Sequence, residues 1–302
     1  MSDLTINDVG PRDGLQNQAK VLEPAARVQL VRSLLDAGVS HVEAGAFVSP
    51  RAVPAMAGAD EVLSGLADVK DAVLTFLVPN VRGYELAREA GAHSVCMVLY
   101  GSEAMAEANV RMGREQAEQA TIEILQRARN DGIRVTATVA VAFECPYEGK
   151  TDPGLIEHMA AQFLNLGVDE FCIADTIGAA DPGQVRSLTA ALTREHGQTR
   201  LSCHFHDTRA MGLANVYAAL ESGIRKFDAA IGGLGGCPFA PGASGNVATE
   251  DVVMMVQQMG FETGIDLDAL MRASRLAAEL TGTAPGGRAS AWIEKELERK
   301  SG

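Results

Sequence analysis

The chain has 302 residues, 47% hydrophobic and 22% charged, the balance of an ordinary globular domain. A formal net charge of −13 argues against nucleic-acid binding, which needs a basic surface to displace counterions. It leaves room for a local cationic pocket that holds a small anion. Five scattered cysteines without CxxC spacing read as free thiols of a reducing compartment. The N-terminus has no basic segment followed by an apolar one, and apolar runs stop short of the roughly 18–20 residues that span a bilayer. The expectation is a cytoplasmic protein that meets neither membrane nor nucleic acid.

Short apolar or β-branched runs recur in chain order: Leu4–Val9, His41–Phe47, Ala72–Pro79, Ser94–Tyr100, Arg134–Phe143, Glu170–Asp175, Leu201–Asp207 and Lys226–Gly233. Between and after them lie helical patterns, among them Pro24–Ala37, Glu115–Asn130, Asp181–Glu195 and Thr249–Met259. Glu23-Pro24 and Asp152-Pro153 place proline where a helix begins and its missing N–H costs nothing. Glycines 38, 91, 167 and 223 stand where helices stop. Eight strand–helix units in series predict a (β/α)8 TIM barrel over residues 1–262, with an open doubly wound sheet as the alternative. Two further helical patterns, Leu267–Leu280 and Ala289–Lys300, predict a C-terminal helical extension, residues 263–302, packed on the barrel.

A barrel of this kind carries its chemistry at the C-terminal ends of its strands. The first strand ends in Arg12-Asp13, a fixed cation beside a carboxylate, or else a structural pair bounding a turn. Glu43 lies inside the second strand, where burial demands a partner, and Arg12 on the neighbouring strand can supply one. The seventh strand ends in Cys203-His-Phe-His-Asp207. Alternation puts His204 and His206 on one face, about 6–7 Å apart, close enough to converge on one metal. A glycine- and proline-rich segment, 232–246, follows the eighth strand and holds Cys237 and Asn246, the latter otherwise a simple helix cap. Asp13, His204, His206 and Asn246 together offer two oxygens and two imidazole nitrogens. That set suits Mg²⁺ or Mn²⁺ ahead of Zn²⁺, Co²⁺ or Fe²⁺.

Seven segments then carry a resemblance: Val9–Asn17, Phe47–Pro50, Cys145–Lys150, Asp175–Gly178, His204–Thr208, Gly233–Pro238 and Gly242–Asp251. In order and content they resemble the 3-hydroxy-3-methylglutaryl-CoA lyases, a family of Asp–Arg–Glu TIM-barrel metallolyases, from about residue 6 to 262. The resemblance implies Asp13, His204, His206 and Asn246 as metal ligands. It implies Arg12, Asp13, Glu43, His204 and Cys237 as catalytic residues, Cys237 being a loop thiol, with Arg12 and Gln16 beside the substrate. It further implies an acyl-CoA substrate, a homo-oligomer and a place in leucine degradation or ketone-body formation. Two alternatives stand beside it, a Claisen-condensing synthase on the same barrel and a non-catalytic metal-binding protein.

The chain also departs from the family. Glu43-Ala-Gly-Ala-Phe47 lacks two hydroxyls, and strand five, Val135–Val141, lacks the expected arginine, tyrosine and serine. Arg209-Ala-Met211 stands where Tyr-Gly-Gln is usual. Small residues at Ala46, Thr136, Thr138 and Ala140 predict a wider acyl pocket and a preference for a related 3-hydroxy-3-alkyl acyl-CoA.

Overall fold

In the computed structural model, which describes residues 4–236, 245–284 and 286–301, eight parallel strands close into a barrel. They are β1 (Thr5–Asp8), β2 (His41–Ala46), β3 (Val73–Leu77), β4 (Ser94–Tyr100), β5 (Arg134–Ala140), β6 (Glu170–Asp175), β7 (Leu201–Phe205) and β8 (Lys226–Ala229). Around the ring they follow one another in sequence, β8 pairing with β1 through Thr5↔Lys226 to Asp8↔Ala229. The barrel replaces the doubly wound alternative because the first and last strands meet.

The helices begin and end for local reasons. Proline stands at the start of α1 (Pro24–Asp36), α6 (Pro153–Leu166) and α7 (Pro182–His196). The Asp181 carboxylate accepts from the backbone N–H groups of Gly183 and Gln184, while Gln184 Oε1 accepts from Asp181 N–H, a reciprocal cap. The other helices packed against the barrel are α2 (Ala59–Gly65), α3 (Val81–Ala90), α4 (Glu103–Val110), α5 (Arg114–Asp131), α8 (Gly212–Glu221) and α9 (Thr249–Gln258). Left-handed glycines close α3 and α6 at Gly91 and Gly167.

Outward-facing strand residues such as Val42, Phe76, Val95, Val135 and Phe171 are buried against the helices. The bore is different. A TIM-barrel interior is usually filled by bulky branched side chains, whereas here Thr75, Ser94, Thr136, Thr138 and Ser202 line a cavity of about 480 Å³. Near the barrel floor, Lys226 Nζ pairs with Glu170 at 3.0 Å.

Two helices follow, α10 (Leu267–Thr281) and α11 (Ser290–Ser301). Buried Glu250 accepts from Ser274 Oγ of α10 (2.9 Å) and from Gly232 N–H (3.0 Å). Asp251 accepts from the N–H groups of Arg288 and Ala289, and the Arg288 side chain pairs with Asp207. These bonds tie the C-terminal segment to the C-terminal rim of the barrel. Among the described residues, no helix is long and apolar enough to cross a membrane.

Candidate active site

After β1 the chain turns through a π-helical segment, Gly10–Gly14. The buried Asp8 carboxylate fixes its entry by accepting from Gly10 N–H at 2.8 Å. A Cβ on Gly10 would lie 2.8 Å from Asp8 Oδ1 and 2.9 Å from Ile231 Cγ2, so only glycine fits this corner. The turn brings Arg12 and Asp13 together at the barrel mouth. Arg12 Nε and Nη2 donate to the two oxygens of Glu43 at 2.8 and 2.9 Å, and Nη1 donates to Asp13 Oδ1 at 2.8 Å. A guanidinium has five N–H groups, so two remain after these bonds. Glu43 also accepts from Cys96 Sγ on β4.

Asp13, His204 and His206 each place a potential ligand atom within 4.8 Å of the others. The His204 and His206 ring centroids are 5.2 Å apart, and His206 Nε2 lies 3.9 Å from Asp13 Oδ2. Asn246 joins them through an antiparallel bridge with His206. Its amide nitrogen donates to Asp13 Oδ2 (2.8 Å) and to Leu234 O (3.0 Å), which leaves buried Oδ1 without a hydrogen-bond partner. His206 Nδ1 is orphaned in the same way. Buried polar atoms are costly to leave unpaired, and two of them beside a carboxylate and a second imidazole fit a divalent cation. The donor chemistry is hard oxygen plus imidazole.

The electrostatics agree with this fit. Burial alone would raise the Asp13 carboxyl, but Arg12, the two imidazoles and Asn246 outweigh it and hold it well below the ordinary carboxylate range. Burial, reinforced by His204, lowers His206 to about 4, so at neutral pH its imidazole is uncharged and free to bind metal. Burial also lowers His204, but the hydrogen bond and charge of Asp228 outweigh it and raise it above the ordinary value.

Asp228 is a residue that strand-end reasoning passes over. It sits on β8 in register with His204 and lies 3.1 Å from His204 Nδ1. Its other oxygen accepts from Asn7 Nδ2 at 2.8 Å. The signal was present in Lys226-Phe-Asp228, two charged residues at inward-alternating positions of a strand, but the partner was visible only once β7 and β8 were paired. Asp228 holds the Nδ1–H tautomer and so leaves His204 Nε2 as the free lone pair. We expect Asp228→Asn to lower Mn²⁺ affinity by about 10–100-fold. Asn7 would retain the new carbonyl oxygen and turn the amide NH₂ toward His204, forcing the proton onto Nε2. Isothermal titration with Mn²⁺ measures this, and an unchanged affinity would make Asp228 a packing group only.

The remaining sequence-derived site residues divide into two groups. Gln16 lines the same cavity as Arg12, Asp13, Glu43, His204 and His206. Cys237 lies outside the described residues. Of the small residues read as widening the acyl pocket, Thr136, Thr138 and Ala140 line the cavity, while Ala46 is buried.

A closed parallel barrel with this cluster at its strand ends makes the chain a (β/α)8 protein with a candidate metal centre at its mouth. More particularly, it belongs to the HMGL-like family, whose profile matches residues 3–277. It is 42% identical over 290 residues to the hydroxymethylglutaryl-CoA lyase of Pseudomonas mevalonii, covering 96% of each chain. It is 38% identical over 283 residues to the 3-hydroxy-3-isohexenylglutaryl-CoA/hydroxymethylglutaryl-CoA lyase of Pseudomonas aeruginosa, covering 94% of each. Among solved structures, an HMG-CoA lyase from Acinetobacter baumannii in complex with coenzyme A and 3-methylmalate superposes with a TM-score of 0.91. That match has 40% identity and covers 95% of this chain and 94% of the other.

Proposed function

We propose that the protein is a divalent-metal-dependent retro-Claisen lyase. It cleaves a 3-hydroxy-3-methylglutaryl-CoA-like acyl-CoA to acetyl-CoA and a keto acid such as acetoacetate. The observation that carries the reading is the convergence of Asp13, His204 and His206 with the orphaned Asn246 oxygen beside the Arg12–Glu43 pair. Those four residues would hold the ion, Mg²⁺ or Mn²⁺ ahead of Zn²⁺, Co²⁺ or Fe²⁺. Bound there, the cation supplies Lewis acidity toward the substrate's hydroxyl oxygen.

The protein's own groups carry the rest. Asp13 or His204 takes the C3 hydroxyl proton, and the Asp228 bond supports the basicity of His204. As the C3–O bond becomes a carbonyl, the C2–C3 bond breaks and its electron pair passes to C2 and the thioester oxygen. The two remaining Arg12 N–H groups stabilise that enolate, and Glu43 fixes the guanidinium plane. Cys237 gives its thiol proton to C2, and the proton held by the base returns to the thiolate. Gln16 contacts the acyl portion.

A second reading is favoured by Thr136, Thr138 and Ala140, whose small side chains leave room beside the site for a C3 substituent larger than methyl. The relative from Pseudomonas aeruginosa, whose name covers both substrates, lends it support. The test is a panel of 3-hydroxy-3-alkyl acyl-CoAs with released acetyl-CoA measured directly. We expect a related acyl-CoA to exceed 3-hydroxy-3-methylglutaryl-CoA. A kcat/KM of about 10⁵ M⁻¹s⁻¹ or more on the latter, above every analogue, removes the second reading, and no cleavage of any member removes the first. We place the enzyme in the cytoplasm as a homo-oligomer, serving leucine degradation or ketone-body formation.

A further inference from the structure

Tyr100 ends β4 and shares its inward face with Cys96, the thiol that donates to Glu43. It is 2% exposed, yet it lines the cavity that also holds Arg12, Asp13, His204 and His206. Its phenolic oxygen accepts a hydrogen bond from Asn109 Nδ2 at 2.9 Å. That bond fixes the hydroxyl and leaves its proton without an acceptor among the described residues. The Asn109 amide carries a second N–H as well, and Asn109 lines the same cavity. Two donors thus meet in a recess whose other walls, Val98, Met105, Val110 and Ala140, are apolar.

The barrel fixes where these donors stand. In a ring of eight strands β4 lies opposite β8, and β8 carries Asp228, the partner of His204. An acyl group whose reacting carbon sits at the β7–β8–β1 side has room to extend one arm across the cavity toward β4. Strand five offers no phenol or guanidinium there. In register with Ala140, however, the neighbouring strand supplies Tyr100. A buried donor with a free proton is best matched by an anionic acceptor, for which the hydrogen bond is strongest.

We infer that Tyr100, held by Asn109, is a specificity-determining residue that donates to the free carboxylate on the C3 arm of the acyl-CoA. This rests on the proposed lyase reading and extends it by naming what the far wall recognises. The substrate class is a 3-hydroxy acyl-CoA ending in a carboxylate. Esters and decarboxylated analogues are discriminated against.

The experiment uses the full-length, Mn²⁺-loaded protein and two ligands, 3-hydroxy-3-methylglutaryl-CoA and 3-hydroxy-3-methylbutanoyl-CoA, which lacks the carboxylate. KM comes from cleavage of the first and the inhibition constant of the second from its competition with it; for protein that shows no turnover, both dissociation constants come from calorimetry. Tyr100→Phe keeps the ring and its packing. It is expected to weaken the carboxylate ligand about tenfold or more, the scale of one hydrogen bond to a charged group, and to leave the other ligand within about twofold. The change should fall on KM rather than kcat. Asn109→Leu, which frees the hydroxyl to rotate, should move the same ratio in the same direction. Equal weakening of both ligands, or of neither, would make Tyr100 a wall residue only and overturn the inference. If the wild type cleaves no acyl-CoA but still discriminates between the two ligands through Tyr100, the lyase reading fails and the recognition stands.

Discussion

Exhaustive chelation is expected to abolish acetyl-CoA release, and Mg²⁺ or Mn²⁺ to restore it; His206→Ala should remain inactive at metal concentrations that saturate the wild type. His206 is 5% exposed, its Nδ1 has no partner, and burial holds its imidazole neutral. It is thus ready to bind a cation without first losing a proton. Removing it leaves three proposed protein ligands. Loss of an outer partner alone typically costs about 10–100-fold in affinity, so loss of a direct ligand should exceed that range. A second readout is independent of turnover. An ion that binds only the folded state, at 100 times its dissociation constant, adds about 2.7 kcal/mol to stability. The wild type should therefore melt a few degrees higher with Mn²⁺ than with chelator, whereas His206→Ala should show no such gain. Full activity in metal-free protein would remove the metal from the mechanism.

The parts of this molecule that were legible from sequence are those set by local periodicity. His204 and His206 share a face because a strand alternates, and Asp13 reaches the barrel mouth on the turn that follows β1. The helix stops at Gly91 and Gly167 need only the left-handed conformation that glycine adopts freely. Strand limits were less legible. The fifth strand was expected to run to Phe143 but ends at Ala140, because Val141 takes φ +51° and its N–H bonds to Thr176 Oγ1 on the next strand–helix loop. The eighth was expected to reach Gly233, yet it stops at Ala229, and Ile231–Gly233 form a 3₁₀ turn under the N–H···Glu250 bond.

What could not be read was set by pairing between distant segments. Asp228 finds His204 through the β7–β8 register, and Tyr100 finds Asn109 across the β4–α4 turn. Arg209 read as a departure from the family pattern. Its side chain instead binds the carbonyls of residues 178, 179 and 180 and secures the loop after β6. That substitution therefore serves loop structure. The changes on β5 do face the cavity.

Arg12→Lys is expected to lower kcat by about 10²–10³, the equivalent of about 2.7–4 kcal/mol of lost transition-state stabilisation, although formal charge is conserved. The reason is geometric. Three N–H groups of Arg12 are committed at once, two to Glu43 and one to Asp13, and the planar fork directs the other two. An ammonium has three donors and no plane. If it keeps Glu43 and Asp13 company it has little left for the enolate, and if it turns to the substrate a carboxylate that is only 4% exposed loses its cation. Breaking a buried pair from one side is costly in itself, so thermal melting must accompany the kinetics. Glu43→Gln supplies the contrast: it retains one acceptor for the guanidinium and leaves all five donors in place, so its loss of kcat should be smaller than that of Arg12→Lys. The decisive outcome is a variant of unchanged melting temperature. If such an Arg12→Lys protein loses less than about tenfold in kcat, Arg12 serves Glu43 alone, and the enolate must be stabilised by another group.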